Sequence, residues 1–215
     1  MSVEASRLTR SGAKIMATVL RLRFTVLFLA VMVIANLLAG TLWQPLPHRL
    51  LAAWGVGFDP VLSGDLFRLI TGTFLSHDPD MFVRQILFAA LVIGHTELQR
   101  GGVRTAALFF GLDIVGTLIL LACVGWAVGI ADLTSRYDVG MSMGGFGLIG
   151  LALAGWRGKW LVFAAILLAI LAKFIIEPDP LADGGHAIAL MLGFVVGLAL
   201  KPPQRPRSHE VGNAG

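Results

Sequence analysis

Ser142 and His186 are the residues whose chemistry stands out, because a hydroxyl and an imidazole within hydrogen-bond reach can together carry out acyl transfer. In that chemistry His186 takes the proton from Ser142 Oγ, the oxygen attacks a carbonyl, and water later hydrolyses the acyl-enzyme. No Asp or Glu stands in an obvious place to orient the imidazole, so the arrangement would be a dyad. The developing oxyanion would be held by backbone N–H groups, since Ser142 falls in the first turn of an expected helix, where N–H groups lack intrahelical partners. The bland alternatives are real. A serine in a membrane helix ordinarily bonds its own helix backbone, and a lone histidine can be a structural bond or part of a proton path.

Other chemistries find less support. There is no HExxH for a zinc protease, and the single cysteine, Cys123, cannot form an intramolecular disulfide or a cysteine metal cluster. Asp113 lies inside an apolar run, but two aspartates facing each other are not evident, which argues against an aspartyl mechanism. Asp113, Arg84 and Lys173 are read as structural pairs or snorkelling residues, with an ion or proton site as the alternative. No metal or cofactor is expected.

The elements that must position the dyad are membrane spans. The chain of 215 residues is 56% hydrophobic and 14% charged, with a mean hydropathy of +0.81. Soluble domains carry roughly 25% charged residues, so most of this chain needs no water-facing side. Long apolar runs predict six spans at about 24–43, 81–96, 105–131, 139–156, 160–176 and 185–200, each near the length that crosses a bilayer. The basic residues before the first run resemble a signal peptide, but its length and the five spans that follow favour an uncleaved helix. The expected organisation is a cytoplasmic segment 1–23, an all-α membrane domain 24–200, and a polar, Pro-rich, disordered cytoplasmic tail 201–215.

Basic residues are retained on the cytoplasmic side of a membrane. With the N-terminus inside, the inner segments hold twelve Lys and Arg residues and the outer ones three, Arg49, Arg68 and Arg136. Both termini are therefore expected in the cytoplasm. The net charge of +4 then records orientation, and no nucleic-acid partner is implied. Residues 44–80 are apolar but broken by Pro45, Pro47, Gly55, Gly57, Pro60 and Gly64, which predicts an interfacial or re-entrant outer loop with Trp43 and Trp54 at headgroup depth.

Spans four and six run in the same direction, and Ser142 and His186 each sit within about the first turn of their span, so they share a depth. Ala189, Gly193 and Gly197 recur at spacings of four, within about 60° of His186 on a helical wheel. Gly140, Gly144, Gly145, Gly147 and Gly150 give span four a matching small surface. Phe146, four residues after Ser142, shares its face and can pack on the imidazole.

With these residues in view, the chain resembles the rhomboid family of intramembrane serine proteases over about residues 64–200. Gly140-Met141-Ser142-Met143, followed by Phe146, Gly147 and Gly150, is similar to the family's GxSG segment. Gly185-His186 with Gly193 resembles its sixth-helix histidine motif, Phe67-Arg68 its first-loop Trp-Arg pair, and Glu97 the acidic residue closing its second helix. The resemblance implies a six-helix rhomboid-like bundle with a membrane-associated first outer loop. It also implies catalysis by Ser142 and His186, with transmembrane protein substrates and the lipid bilayer as partners. The expected location is a bacterial inner (plasma) membrane, and the oligomeric state is left open.

Three positions depart from the family pattern. Its second-helix His and Asn, which help bind the oxyanion, correspond to Met81 and Gln85, and the second Gly of GxSG is Met143. Methionine donates no hydrogen bond, whereas Gln85 can donate with a longer reach. Met143 narrows substrate choice or blocks the site. A rival reading is accordingly a rhomboid-like protein that binds transmembrane helices without cutting them. A transporter is a third option, but the spans show no two matching halves.

Overall fold

The computed structural model describes residues 20–126 and 136–200. The expected tail 201–215, most of the segment 1–23 and the end of the third predicted span lie outside the described residues, as do six of the twelve inner basic residues.

Apolar runs become helices where caps define their ends. Helix α1 (Arg23–Ala39) begins against Glu97, whose carboxylate accepts from the N–H groups of Phe24 at 2.9 Å and Thr25 at 2.8 Å and from Thr25 Oγ1 at 2.7 Å. These are the donors a helix start leaves without partners, here satisfied from another helix. After a broken loop comes α5 (Pro79–Arg100), where Asp78 accepts from the Met81 N–H at 2.7 Å and Pro79 opens the first turn. It is followed by α6 (Gly102–Trp126), α7 (Ser142–Leu153), α8 (Lys159–Ile176) and α9 (Pro180–Ala199), the last capped by Asp179 on the Ala182 N–H.

Among the described residues four helices are long and apolar enough to cross a membrane, α5, α6, α8 and α9, and the chain is a helical multi-pass membrane protein. Helices α1 and α7 are apolar but shorter. The predicted fourth span, 139–156, is the largest difference: α7 has 12 residues, about 18 Å at 1.5 Å per residue, against a hydrocarbon core of about 30 Å. A strand at Tyr137–Asp138 precedes it and Met141 takes the N-cap position, so Ser142 opens the helix. The sixth run differs the other way. The Asp179 cap starts α9 at Pro180, which places His186 in its second turn.

The loop between α1 and α5 is folded. It comprises α2 (His48–Trp54), strand β1 (Val56–Gly57), α3 (Phe58–Leu62), α4 (Arg68–Thr71) and a 3-10 turn (Gly72–Phe74). Strand β1 pairs antiparallel with β2 (Tyr137–Asp138), Val56 opposite Asp138. Arg68 ties the loop together: Nε bonds Asp65 at 2.6 Å, Nη1 donates to the carbonyls of Ala52 and Gly55, and its guanidinium lies 6.0 Å from the Tyr137 ring centroid. Asn36 anchors the loop to α1. Its amide donates to the carbonyls of Met32 and Phe74, and its oxygen accepts from Thr41 Oγ1 and the Ser76 N–H. With every group of this buried amide satisfied, the junction is fixed in one arrangement.

The main core joins α1, α5, α6 and α7 through Phe28, Met32, Ile93, Phe109, Leu112, Met141 and Leu148. Helices α7 and α9 pack backbone to backbone. A Cβ at Gly193 would overlap the Gly147 carbonyl, so only glycine permits this approach.

Candidate active site

The segment leading to Ser142 is held from three sides. The Gly140 N–H donates to the Gly72 carbonyl at 2.8 Å, carrying the hydrogen-bonded edge of β2 past its last paired residue. Gly140 itself has φ +132°, a conformation that L side chains rarely adopt, and a Cβ there would meet Gln85 Nε2 and Met81 Cε. Met141 is fully buried in the main core, which fixes the residue before the serine. Asp113 then reaches across from α6. Its carboxylate accepts from the Gly144 N–H at 2.8 Å and from Thr73 Oγ1 at 2.9 Å, joining the first turn of α7 to the 3-10 turn of the loop.

Held in this way, Ser142 Oγ lies 2.9 Å from His186 Nε2. In the neutral tautomer that carries its proton on Nδ1, Nε2 accepts from the hydroxyl, the geometry a general base needs. Among the described residues no side chain bonds His186 Nδ1. The imidazole is instead oriented by Phe146, which stacks on it with ring centroids 4.3 Å apart and 17° between planes, while Phe88 lies 5.8 Å from the Phe146 ring. The small faces expected of the two helices do meet, and they allow the serine and histidine to touch.

Ser142 and His186 share a cavity of about 50 Å³ with Asp113, Thr117, Asp138, Gly140 and Met143. Met143 projects away from α7 into the gap between α6 and α9: a Cβ on Gly185 would lie 2.6 Å from its Sδ, and one on Gly116 would lie 3.2 Å from its Cε. Gln85 is buried. Its Oε1 accepts from Ser76 Oγ at 2.9 Å, while among the described residues nothing accepts from Nε2, which sits against Gly140. Met81 also lies against Gly140, with its Sδ accepting from the His77 N–H at 3.3 Å.

Of the other polar residues singled out in the sequence, Lys173 pairs with Asp183 at 3.0 Å and Arg84 is exposed. Asp183, three residues before His186, also accepts from the Asp179 N–H at 3.1 Å. His77 bonds Asp138 through Nε2 at 3.1 Å, and this bond raises the His77 pKa above its ordinary value against the burial that lowers it. Sequence reasoning missed the Asp113 clamp and the β1–β2 pairing. An ionisable residue inside an apolar run signalled Asp113 as costly, but its partners lie 31 and 40 residues away in the chain. A two-residue strand has no sequence period to find.

No protein-family model matches the chain, and no curated protein matches it either.

Proposed function

We propose that this protein is a six-helix, rhomboid-like intramembrane serine protease that cleaves transmembrane or membrane-proximal segments of other proteins. The observation that carries this reading is the 2.9 Å contact between Ser142 Oγ and His186 Nε2 across two helices packed through glycine. His186 Nε2 takes the hydroxyl proton as Oγ attacks the scissile carbonyl. The same proton passes to the departing amine, and water, deprotonated by His186, then hydrolyses the acyl-enzyme.

Asp113 occupies the Gly144 N–H, which leaves those of Ser142 and Met143 at the helix start to face a developing oxyanion. Gln85 Nε2 supplies a further donor beside Gly140. In this reading α1 and α7 complete six spans, both termini are cytoplasmic, and the site opens toward the outer face of a bacterial inner membrane.

The test is labelling by a fluorophosphonate in membranes. The wild type should label and Ser142→Ala should not. Equal labelling of the two, with neither cleaving a transmembrane substrate, would falsify the protease reading. Met81 favours a second reading, a protein that binds transmembrane helices without cutting them, because a thioether already engaged with His77 stands where a donor is wanted. Under it Ser142→Ala and His186→Ala leave function intact, while changes on the helix-packing faces impair it.

A further inference from the structure

We infer that the groove between the end of α1 and the loop helix α2 is a binding site for an anionic phospholipid, with an acyl chain in the groove and the headgroup phosphate at Arg49. The groove holds about 380 Å³ and is walled by Val31, Ala35 and Leu38 of α1, Leu50 and Trp54 of α2, and Phe74. Its one polar wall residue, Thr71, spends its hydroxyl on the Trp54 carbonyl at 3.0 Å, so the groove offers an occupant apolar surface.

Three observations select the lipid. The groove lies at the C-terminal end of the apolar helix α1, which in the proposed six-span reading, on which this step rests, is the level where a bilayer changes from chains to headgroups. Trp43 and Trp54 flank that end and are 71% and 46% exposed, as rings in a headgroup belt are. Arg49 supplies the charge. It is exposed on α2, next to the groove residue Leu50, and no ion pair or hydrogen bond among the described residues engages its guanidinium. Arg68, by contrast, is committed to Asp65.

The site bears on the rest of the molecule. Thr71 and Phe74 bracket Gly72 and Thr73, which bond Gly140 and Asp113, so the groove shares a wall with the turn that holds the start of α7. An occupant therefore braces that turn from the membrane side.

The full chain is reconstituted into vesicles of phosphatidylcholine with 20% phosphatidylglycerol by design, roughly the anionic content at which basic residues attract headgroups. A photoreactive diazirine is placed on the acyl chain of one lipid or the other. The phosphatidylglycerol probe should label peptides carrying Leu38, Trp54 and Phe74 about fivefold more than the phosphatidylcholine probe. Arg49→Gln should remove that preference. Ala35→Trp, or Ala39→Phe on the same wall, should remove groove labelling by both probes while labelling of the exposed face of α8 stays unchanged, which also reports that the bundle is folded. Groove labelling no greater than that of α8, insensitivity to the filling substitutions, or a headgroup preference that survives Arg49→Gln would each overturn the assignment.

Discussion

Gln85 carries two roles in one side chain, and they can be separated. Its oxygen serves Ser76, while its nitrogen is the donor beside Gly140. Gln85→Leu removes both, and in the proposed mechanism the loss of an oxyanion donor costs about 10²–10³ in rate. Ser76→Ala removes only the first, so its effect on the rate of Ser142 labelling should stay below about tenfold, the size of one neutral hydrogen bond. Equal losses in the two variants would mean that Gln85 acts through packing alone. A second residue-scale prediction concerns His77. Its hydrogen bond to Asp138 raises its pKa from 6.5, so the protonated form is favoured on folding. The stability this contributes is fully present below pH 6.5 and disappears as the pH rises through the raised value. Both side chains are more than a third exposed, which keeps the effect within about 2–4 °C of melting temperature. Wild type should exceed His77→Gln at pH 5.5–6 and converge with it at pH 9 in thermal unfolding in detergent. Superimposable pH profiles would exclude the contribution.

At the scale of elements, the α7–α9 contact decides whether the serine and histidine meet. Gly193→Ala forces a methyl into the Gly147 carbonyl, and overpacking of this kind costs roughly 1–3 kcal/mol. Because the strain sits two helical turns from His186, it should also pull the imidazole from Ser142 and slow labelling. Gly184→Ala is the control on the same helix, since its Cβ meets only Leu120 Cδ1 at 3.6 Å and gains helix propensity. If the two substitutions lower the melting temperature equally, backbone approach is not the constraint. This contact was legible in the sequence, because spacings of four in small residues define a helix face without knowledge of the partner. The Phe146 stack on His186 was legible for the same reason. What a pattern within one helix cannot carry is a contact between distant segments, and the Asp113–Gly144 and His77–Asp138 bonds are of that kind. Hydropathy also overextended the fourth span, since Val139 is buried against the loop and Met141 in the main core, both outside the helix.

For the whole molecule, attachment of the long helices is uneven, and α8 is where it is weakest. None of its residues is buried, whereas α9 buries Asp183, Gly185, Ala189, Leu190, Gly193 and Phe194. Near one end, Trp160 and Phe163 pack on Phe194 with centroids 5.0 and 4.4 Å apart. Near the other, its polar tie is the Lys173–Asp183 pair, whose carboxylate is buried and whose ammonium is half exposed. Helices held by few buried contacts open at the low end of the stability range, so this pair limits how far the C-terminal half of α8 departs from α9. Lys173→Met should release it, because the remaining Asp183 carboxylate lacks its cation while the apolar face of α8 gains nothing to pack on. Spin labels at Leu171 on α8 and Met191 on α9 report the separation, with a pair at Leu153 on α7 and Met191 as the internal reference. The α8–α9 distribution should be the broader in the wild type and broaden further in Lys173→Met, with the α7–α9 reference unchanged. Equal widths in the wild type, or no response to the substitution, would mean that the lipid-facing helix is held as firmly as the buried ones and that its burial does not govern its motion.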